Sequence, residues 1–195
     1  MFFLNKNAKF GWMEIIVGCM FAGKTEEFIR RLIRLEYAKF KIQVFKPSVD
    51  NRYKEDSVTS HNNRSFDAVA VVSAEDLYNS VDKDTKVVGI DEVQFFDANI
   101  VKIANKLADE NKLVIMNGLD KDFRGESFDN VAQLMALSEN VKKLHAICVI
   151  CGNLANRTQR IINGKPANYN DKIILIGEKD AYEARCRHCH QISNK

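Results

Sequence analysis

Two stretches of this chain combine residue types that handle phosphate at a spacing that lets them do it. In "GCMFAGKT" (18 to 25) a glycine is followed by four residues and then Gly-Lys-Thr. With Gly18 and Gly23 leaving room for close approach, the backbone N–H groups of 19 to 25 can converge on phosphate oxygens. Lys24 then reaches the β- and γ-phosphates, and Thr25 offers its hydroxyl to Mg²⁺. A helix beginning there adds the positive end of its dipole. Cys19, Met20, Phe21 and Ala22 complete the loop, and Cys19 reads as a small tolerated side chain rather than a nucleophile. In "KVVGIDEVQFF" (86 to 96) two carboxylates stand at the end of a β-branched run. Asp91 has the position of an acid that holds Mg²⁺ directly or through water. Glu92, one residue on, can take a proton from water, as an ATPase requires, or from a substrate hydroxyl, as a kinase requires.

Aromatic residues bear on that choice. Phe95 and Phe96 follow Glu92, while Phe123 and Phe128 lie in "NGLDKDFRGESF" (117 to 128). Apolar rings beside a carboxylate suit stacking on a planar base and excluding water, which favours a substrate hydroxyl. For Phe96 and Phe128, a place in the core is an equal alternative.

A third constellation lies near the C-terminus. "CVIC" (148 to 151) and "CRHC" (186 to 189) are two C-x-x-C pairs separated by 34 residues. Cys148, Cys151, Cys186 and Cys189 can surround one Zn²⁺, and four sulfurs leave no position for a catalytic water, so such a zinc is structural. The separation exceeds the usual ribbon and implies a long excursion that returns to the metal. His188 and His190 compete as ligands, with Cys189 favoured by spacing.

These residues need elements to carry them. "MEIIV" (13 to 17), "KIQVF" (41 to 45), "AVAVV" (68 to 72), "KVVGI" (86 to 90), "KLVIM" (112 to 116) and a weaker "KLHAI" (143 to 147) read as buried strands. Phe28, Ile29, Leu32, Ile33 and Leu35 recur at helical steps after Lys24, and helical patterns cover 98 to 110 and 128 to 139. Strands alternating with helices predict an α/β protein whose mainly parallel sheet is covered on both faces, with Gly18, Asp91 and Asn117 facing one edge. The polar stretch 47 to 66 reads as a long surface loop. Residues 1–146 are expected to form the phosphate-binding domain and 147–195 a small metal-stapled module.

Composition excludes several classes. With 46% hydrophobic residues the 195-residue chain can bury a core. A formal charge of +3 from 29 basic and 26 acidic residues argues against a nucleic-acid binder living on electrostatics alone. No apolar run approaches the ~20 residues that cross a bilayer, and the start is a poor signal peptide. A cytoplasmic location with reduced thiols is the expectation.

Taken in order, "MFAGKT", "IDEVQFF", "GLDKDFRG", "CVICGNLANRTQR" and "IGEKDAYEARCRHC" resemble the cellular (type II) thymidine kinase family over about residues 13 to 190. The resemblance implies a P-loop kinase domain and a zinc-stapled module with a lasso loop over thymidine. It implies ATP–Mg²⁺ as donor, deoxythymidine as acceptor, a homotetramer, and inhibition by thymidine triphosphate. By motif, Glu92 resembles the base that activates the 5′-hydroxyl, and Asp91 to Gln94 flank the triphosphate loop. Phe123 resembles the ring that stacks on thymine. Met20, Leu119 and Thr158 would line the pocket for its 5-methyl group, next to Phe95 and Phe128. Tyr182 and the backbone of Leu175, Ile176 and Gly177 would hold base and sugar. Arg52 and Arg160, with Arg157 as a second candidate, resemble arginines near the transferred phosphate. Where the family often shows two glycines in the lasso turn, this chain has Gly177-Glu178. Two other readings compete: a nucleic-acid-dependent ATPase with a DNA-binding ribbon carrying Arg157, Arg160, Arg185 and Arg187, and a nucleotide-binding regulator without turnover, which leaves Glu92 unexplained.

Overall fold

The computed structural model describes residues 11–48, 57–59, 65–173 and 181–194. Six strands make one sheet: β1 (Trp12–Gly18), β2 (Ile42–Pro47), β5 (Val69–Val71), β6 (Val87–Ile90), β7 (Leu113–Leu119) and β8 (Asn140–Leu144). Their order is β5-β2-β6-β7-β1-β8, and every pairing is parallel. Five of the apolar runs are strands of this sheet, and the sixth, 143 to 147, meets it only at Lys143 and Leu144, since Ala146–Ile147 lie outside it. The last strand begins three residues before its apolar run, because the edge strand carries its pattern on alternate residues and reads weakly.

Strand alternation sorts the core into two layers. Ile16, Val44, Val87 and Ile115 point to one face, where they meet Phe28, Ile29, Leu32 and Leu35 of helix α1 (Lys24–Tyr37). Met13, Ile15, Val17, Val88, Ile90, Val114 and Met116 point to the other. There they meet α2 (Ala74–Asn79), α3 (Ile100–Asp109) and α4 (Asp129–Leu137). Full burial of each such side chain contributes about 1.5–3 kcal/mol, so both faces must be covered for the sheet to stand. The short α2 escaped the sequence reading because six residues span less than two turns. Its start is nonetheless locally encoded: the Ser73 side chain accepts from Asp76 N at the N-cap.

Two other expectations change. The stretch 47 to 66 is not loop throughout: β3 (Ser57–Thr59) pairs antiparallel with β4 (Ser65–Asp67). The strand "MEIIV" is also not apolar throughout, since Glu14 is buried within it. It ion-pairs with Arg31 of α1, and Glu27 of the same helix takes Arg30, Arg31 and Lys142 of β8. Hydrogen bonding from Arg30, and also from Lys142, holds the Glu27 carboxyl below its ordinary range.

Beyond the sheet, β9 (Ala146–Ile147) pairs with β10 (Leu154–Ala155). Strand β11 (Arg157–Ile162) lies between β12 (Lys165–Pro166) and β13 (Ala181–Arg185). This part has only a thin apolar cluster of Cys19, Ala146, Cys148, Ala155, Ala184 and Cys186.

Candidate functional site

The loop from Gly18 to Thr25, expected to wrap phosphate, leaves β1 and enters α1. Gly23 sits at its end with φ 76, a left-handed conformation that a side chain strains against, and Glu27 N returns to Gly23 O at 3.1 Å. Lys24 Nζ donates to Cys19 O across the loop at 3.0 Å. Two loop groups are committed elsewhere. Met20 N donates to Thr158 Oγ1 at 3.1 Å, so this N–H does not join those expected to converge on phosphate. The Cys19 thiol donates to Ala155 O at 3.4 Å, and burial pushes its pKa up, which keeps it protonated and inert. Phe21, with φ 65, is exposed and Ala22 half-buried, beside Thr25 at the start of the helix.

Strand β7 separates β1 from β6, and the loop and the two carboxylates emerge on either side of it. Register places Ile90 against Met116 and Gly18 against Leu119, so Asp91 stands level with Asn117 at the C-terminal edge. Asn117 Nδ2 donates to Asp91 Oδ1 at 2.5 Å. Burial, and then the neighbouring Glu92 carboxylate, push Asp91 up to about 7 despite that hydrogen bond. A desolvated carboxylate beside a second one is the kind of oxygen donor that hard cations take.

Glu92 occupies the left-handed region (φ 48, ψ 43), strain of about 1–3 kcal/mol of the kind kept at working sites. Gln94, expected beside the phosphates, is a buried bridge. Its Nε2 donates to Glu92 Oε2 at 2.5 Å, and its Oε1 accepts from Leu119 N at 3.0 Å. The bridge needs Gly118, since a Cβ there would stand 2.5 Å from Gln94 Oε1 and 2.9 Å from Val93 Cγ1. Asn130 closes the turn from behind, donating to Val93 O and Phe96 O.

The aromatic residues divide. Phe96 is a core residue. Phe128 packs on the same core as a half-buried neighbour and meets Phe95 edge-to-face at 6.5 Å. Phe123 is buried between two guanidinium groups, with Arg160 at 5.3 Å and Arg124 at 5.5 Å from the ring centroid. Arg160 is fully buried on β11, and its Nη1 donates to Lys172 O at 2.7 Å. From there its guanidinium also lies over the Phe123 ring. Arg157 is also buried, against Gly125. Tyr182 pairs with Arg160 across β11 and β13, and Leu119 stands half-buried at the end of β7. Arg52, Leu175, Ile176 and Gly177 lie outside the described residues.

The four cysteines come together. The Sγ atoms of Cys148, Cys151, Cys186 and Cys189 lie within 4.8 Å of one another. Cys151 and Cys186 are 3.7 Å apart, close to the edge of a tetrahedron with Zn–S bonds of about 2.3 Å. None is in a disulfide. Burial opposes ionisation of Cys148, but the N–H groups of Cys186, Cys151 and Ile150 outweigh it and bring the thiol down to about 6. Side-chain hydrogen bonds to Cys151 and Cys186 push Cys189 up to about 12. One thiol is ready to ionise and another resists, as expected where four sulfurs converge, and a cation at the centre resolves the conflict. The group can therefore hold a metal ion. His188 is exposed, and His190 Nε2 lies 2.8 Å from Phe123 O.

Sequence reasoning missed Asp120, Asn130 and the bridging use of Gln94. Asp120 is buried beside the loop and takes Lys121 and Lys143 at 2.5 and 2.7 Å. Burial opposes ionisation there, but the two lysines prevail and lower its pKa. An Asp directly at a strand end was the available signal, read only at Asp91. Among the described residues no helix is long and apolar enough to cross a membrane. The family model described as thymidine kinase matches residues 11–190 of this chain.

Proposed function

The chain belongs to the thymidine kinase family, and from that premise we propose that it transfers the γ-phosphoryl group of ATP to the 5′-hydroxyl of deoxythymidine, with Glu92 as general base. Its action on thymidine follows from the family; the donor, the base and the residue roles are our reading. The observation that carries it is the mounting of Glu92: a residue held in a left-handed turn directly after β6, with one carboxylate oxygen held by Gln94. Such a group is aimed and restrained, as a base for one positioned hydroxyl must be.

Donor phosphates would lie along Gly18 to Thr25, with Lys24 moving from Cys19 O to a phosphate oxygen. Mg²⁺ held by Thr25 and Asp91 would neutralise charge on the phosphates. Phe123, braced by Arg160 and Arg124, would be the ring that meets the thymine. Met20, Leu119, Thr158, Phe95 and Phe128 would line the rest of the pocket, and Tyr182 with the backbone of 175 to 177 would close it. Lys24 and the loop N–H groups other than Met20 N would contact the phosphates, with Gln94 flanking them and Arg52 and Arg160, or Arg157, near the transferred group. The four cysteines would hold a structural zinc, and the division near 146/147 would separate donor loop from nucleoside cover. On family membership alone we add salvage of DNA precursors in the cytoplasm, a homotetramer and inhibition by thymidine triphosphate.

Incubation with ATP, Mg²⁺ and either thymidine or single-stranded DNA tests this. Thymidine monophosphate should form without DNA. Phosphate released only when DNA is present would favour the nucleic-acid-dependent ATPase and remove this reading.

A further inference from the structure

Two consecutive residues of the phosphate loop are tied to strands that belong to the cysteine-bearing part of the chain. The Cys19 thiol donates to Ala155 O on β10, and Met20 N donates to Thr158 Oγ1 on β11. The contact around them is apolar and tight, with Cys19 packed among Ala146, Cys148, Ala155, Ala184 and Cys186 and with Ala22 against the same cluster. Thr158 is buried. An N–H inside a phosphate-binding loop normally has either an anion or water for a partner, and here a side chain from 138 residues away takes it. That leaves the conformation of the loop at Met20 defined by β11 and not by the loop's own sequence.

We propose that Thr158 is a positioning residue for the donor loop: its hydroxyl fixes Met20 N–H and so holds the remaining loop N–H groups in the arrangement that receives donor phosphates. This rests on the reading of Gly18–Thr25 as the donor site, and it adds a second duty to a residue placed beside the nucleoside. The two duties use different atoms. The methyl group of Thr158 offers an apolar wall to the acceptor, whereas the hydroxyl serves the donor loop. Substitutions can therefore separate them. Thr158→Val keeps the methyl and the shape but leaves Met20 N–H buried without a partner. Thr158→Ser keeps the hydroxyl and removes the methyl.

The experiment is titration of the whole protein with Mg²⁺ and a non-hydrolysable ATP analogue, in the absence of nucleoside, followed by steady-state kinetics with both substrates varied. Thr158→Val should bind the analogue about tenfold more weakly than the unaltered chain, because the loop N–H groups must then be ordered on binding. Thr158→Ser should stay within about twofold for the analogue while its KM for thymidine rises. Equal analogue affinity in Val and unaltered proteins overturns the proposal, as does a Ser variant that loses as much as Val. Failure of the unaltered protein to bind the analogue instead removes the donor-site reading beneath it. Should the Val variant not fold, amide exchange in the unaltered protein decides: a slowly exchanging Met20 N–H supports the proposal, and exchange at the rate of an open loop overturns it.

Discussion

The sheet edge and the cysteine-bearing module contribute to one site but are held by different physics. At the sheet edge, Asp91, Glu92 and the phosphate loop are anchored to strands buried on both faces, with whole layers of Ile, Val, Leu and Phe beneath them. The module has a cluster of alanines and cysteines, too small to stabilise itself by burial, and its four thiols converge on one point. A hydrophobic core places groups by spreading a constraint over many contacts, so losing one contact costs little. A metal centre concentrates the constraint in four bonds, and losing one costs most of it. Phe123 and Thr158 sit where the two meet: Phe123 is carried by the sheet side and gripped by Arg160 and His190, and Thr158 is carried by the module and grips Met20.

The contrast is best broken first where it is steepest. Cys151→Ser should abolish metal binding and unfold the module, because metal binding in such small centres supplies about 10–16 kcal/mol of folding free energy. Metal analysis should find none bound, and proteolysis should open 147–173 while the far-ultraviolet signal of α1, α3 and α4 persists. A variant that keeps both metal and protease resistance would show that burial suffices there.

On the sheet side, Glu92→Gln should leave the fold intact and lower turnover by about 10²- to 10⁴-fold, the worth of a general base. Turnover near the unaltered value would mean that another group takes the proton. Gly118→Ala reaches the same carboxylate indirectly. The new Cβ must displace Gln94, costing about 1–3 kcal/mol of stability for overpacking. Turnover should fall about ten- to a hundredfold as Glu92 loses its brace. Calorimetry and kinetics on one preparation test the pair of effects, and a stability loss with normal turnover would separate Gln94 from the chemistry.

The smallest effect concerns Asp91. Its folded pKa is raised to about 7 from an ordinary 3.8, chiefly by burial, so the folded state holds the proton more firmly than the unfolded chain. Its contribution to stability therefore falls as pH rises through that window. Glu27 and Asp120, both lowered, act in the opposite direction, but they are common to the unaltered chain and Asp91→Asn. Measured without nucleotide, the melting temperature of the unaltered chain relative to Asp91→Asn should drop between pH 4 and pH 8. A difference that stays flat would mean that Asp91 is solvated.

Much of this molecule was legible because its signals are local. Apolar runs of four or five residues are the strands of a doubly covered sheet, Gly23-Lys24-Thr25 opens a helix on its own backbone preferences, and each C-x-x-C spacing brings two sulfurs within reach. Those relations span a few residues, and their physics is fixed by chain geometry. The same reading could not see that Gln94 would bridge to Leu119, that Glu14 would meet Arg31 inside the sheet, or that Arg160 would be buried under Phe123. Each side chain there has the composition of a surface residue, and only its partner decides otherwise. Sequence by itself determined which groups are present and the order in which they leave the strands. The tertiary structure alone decided which polar atoms answer one another, because Met20 N finds Thr158 Oγ1 only after 138 residues have folded between them.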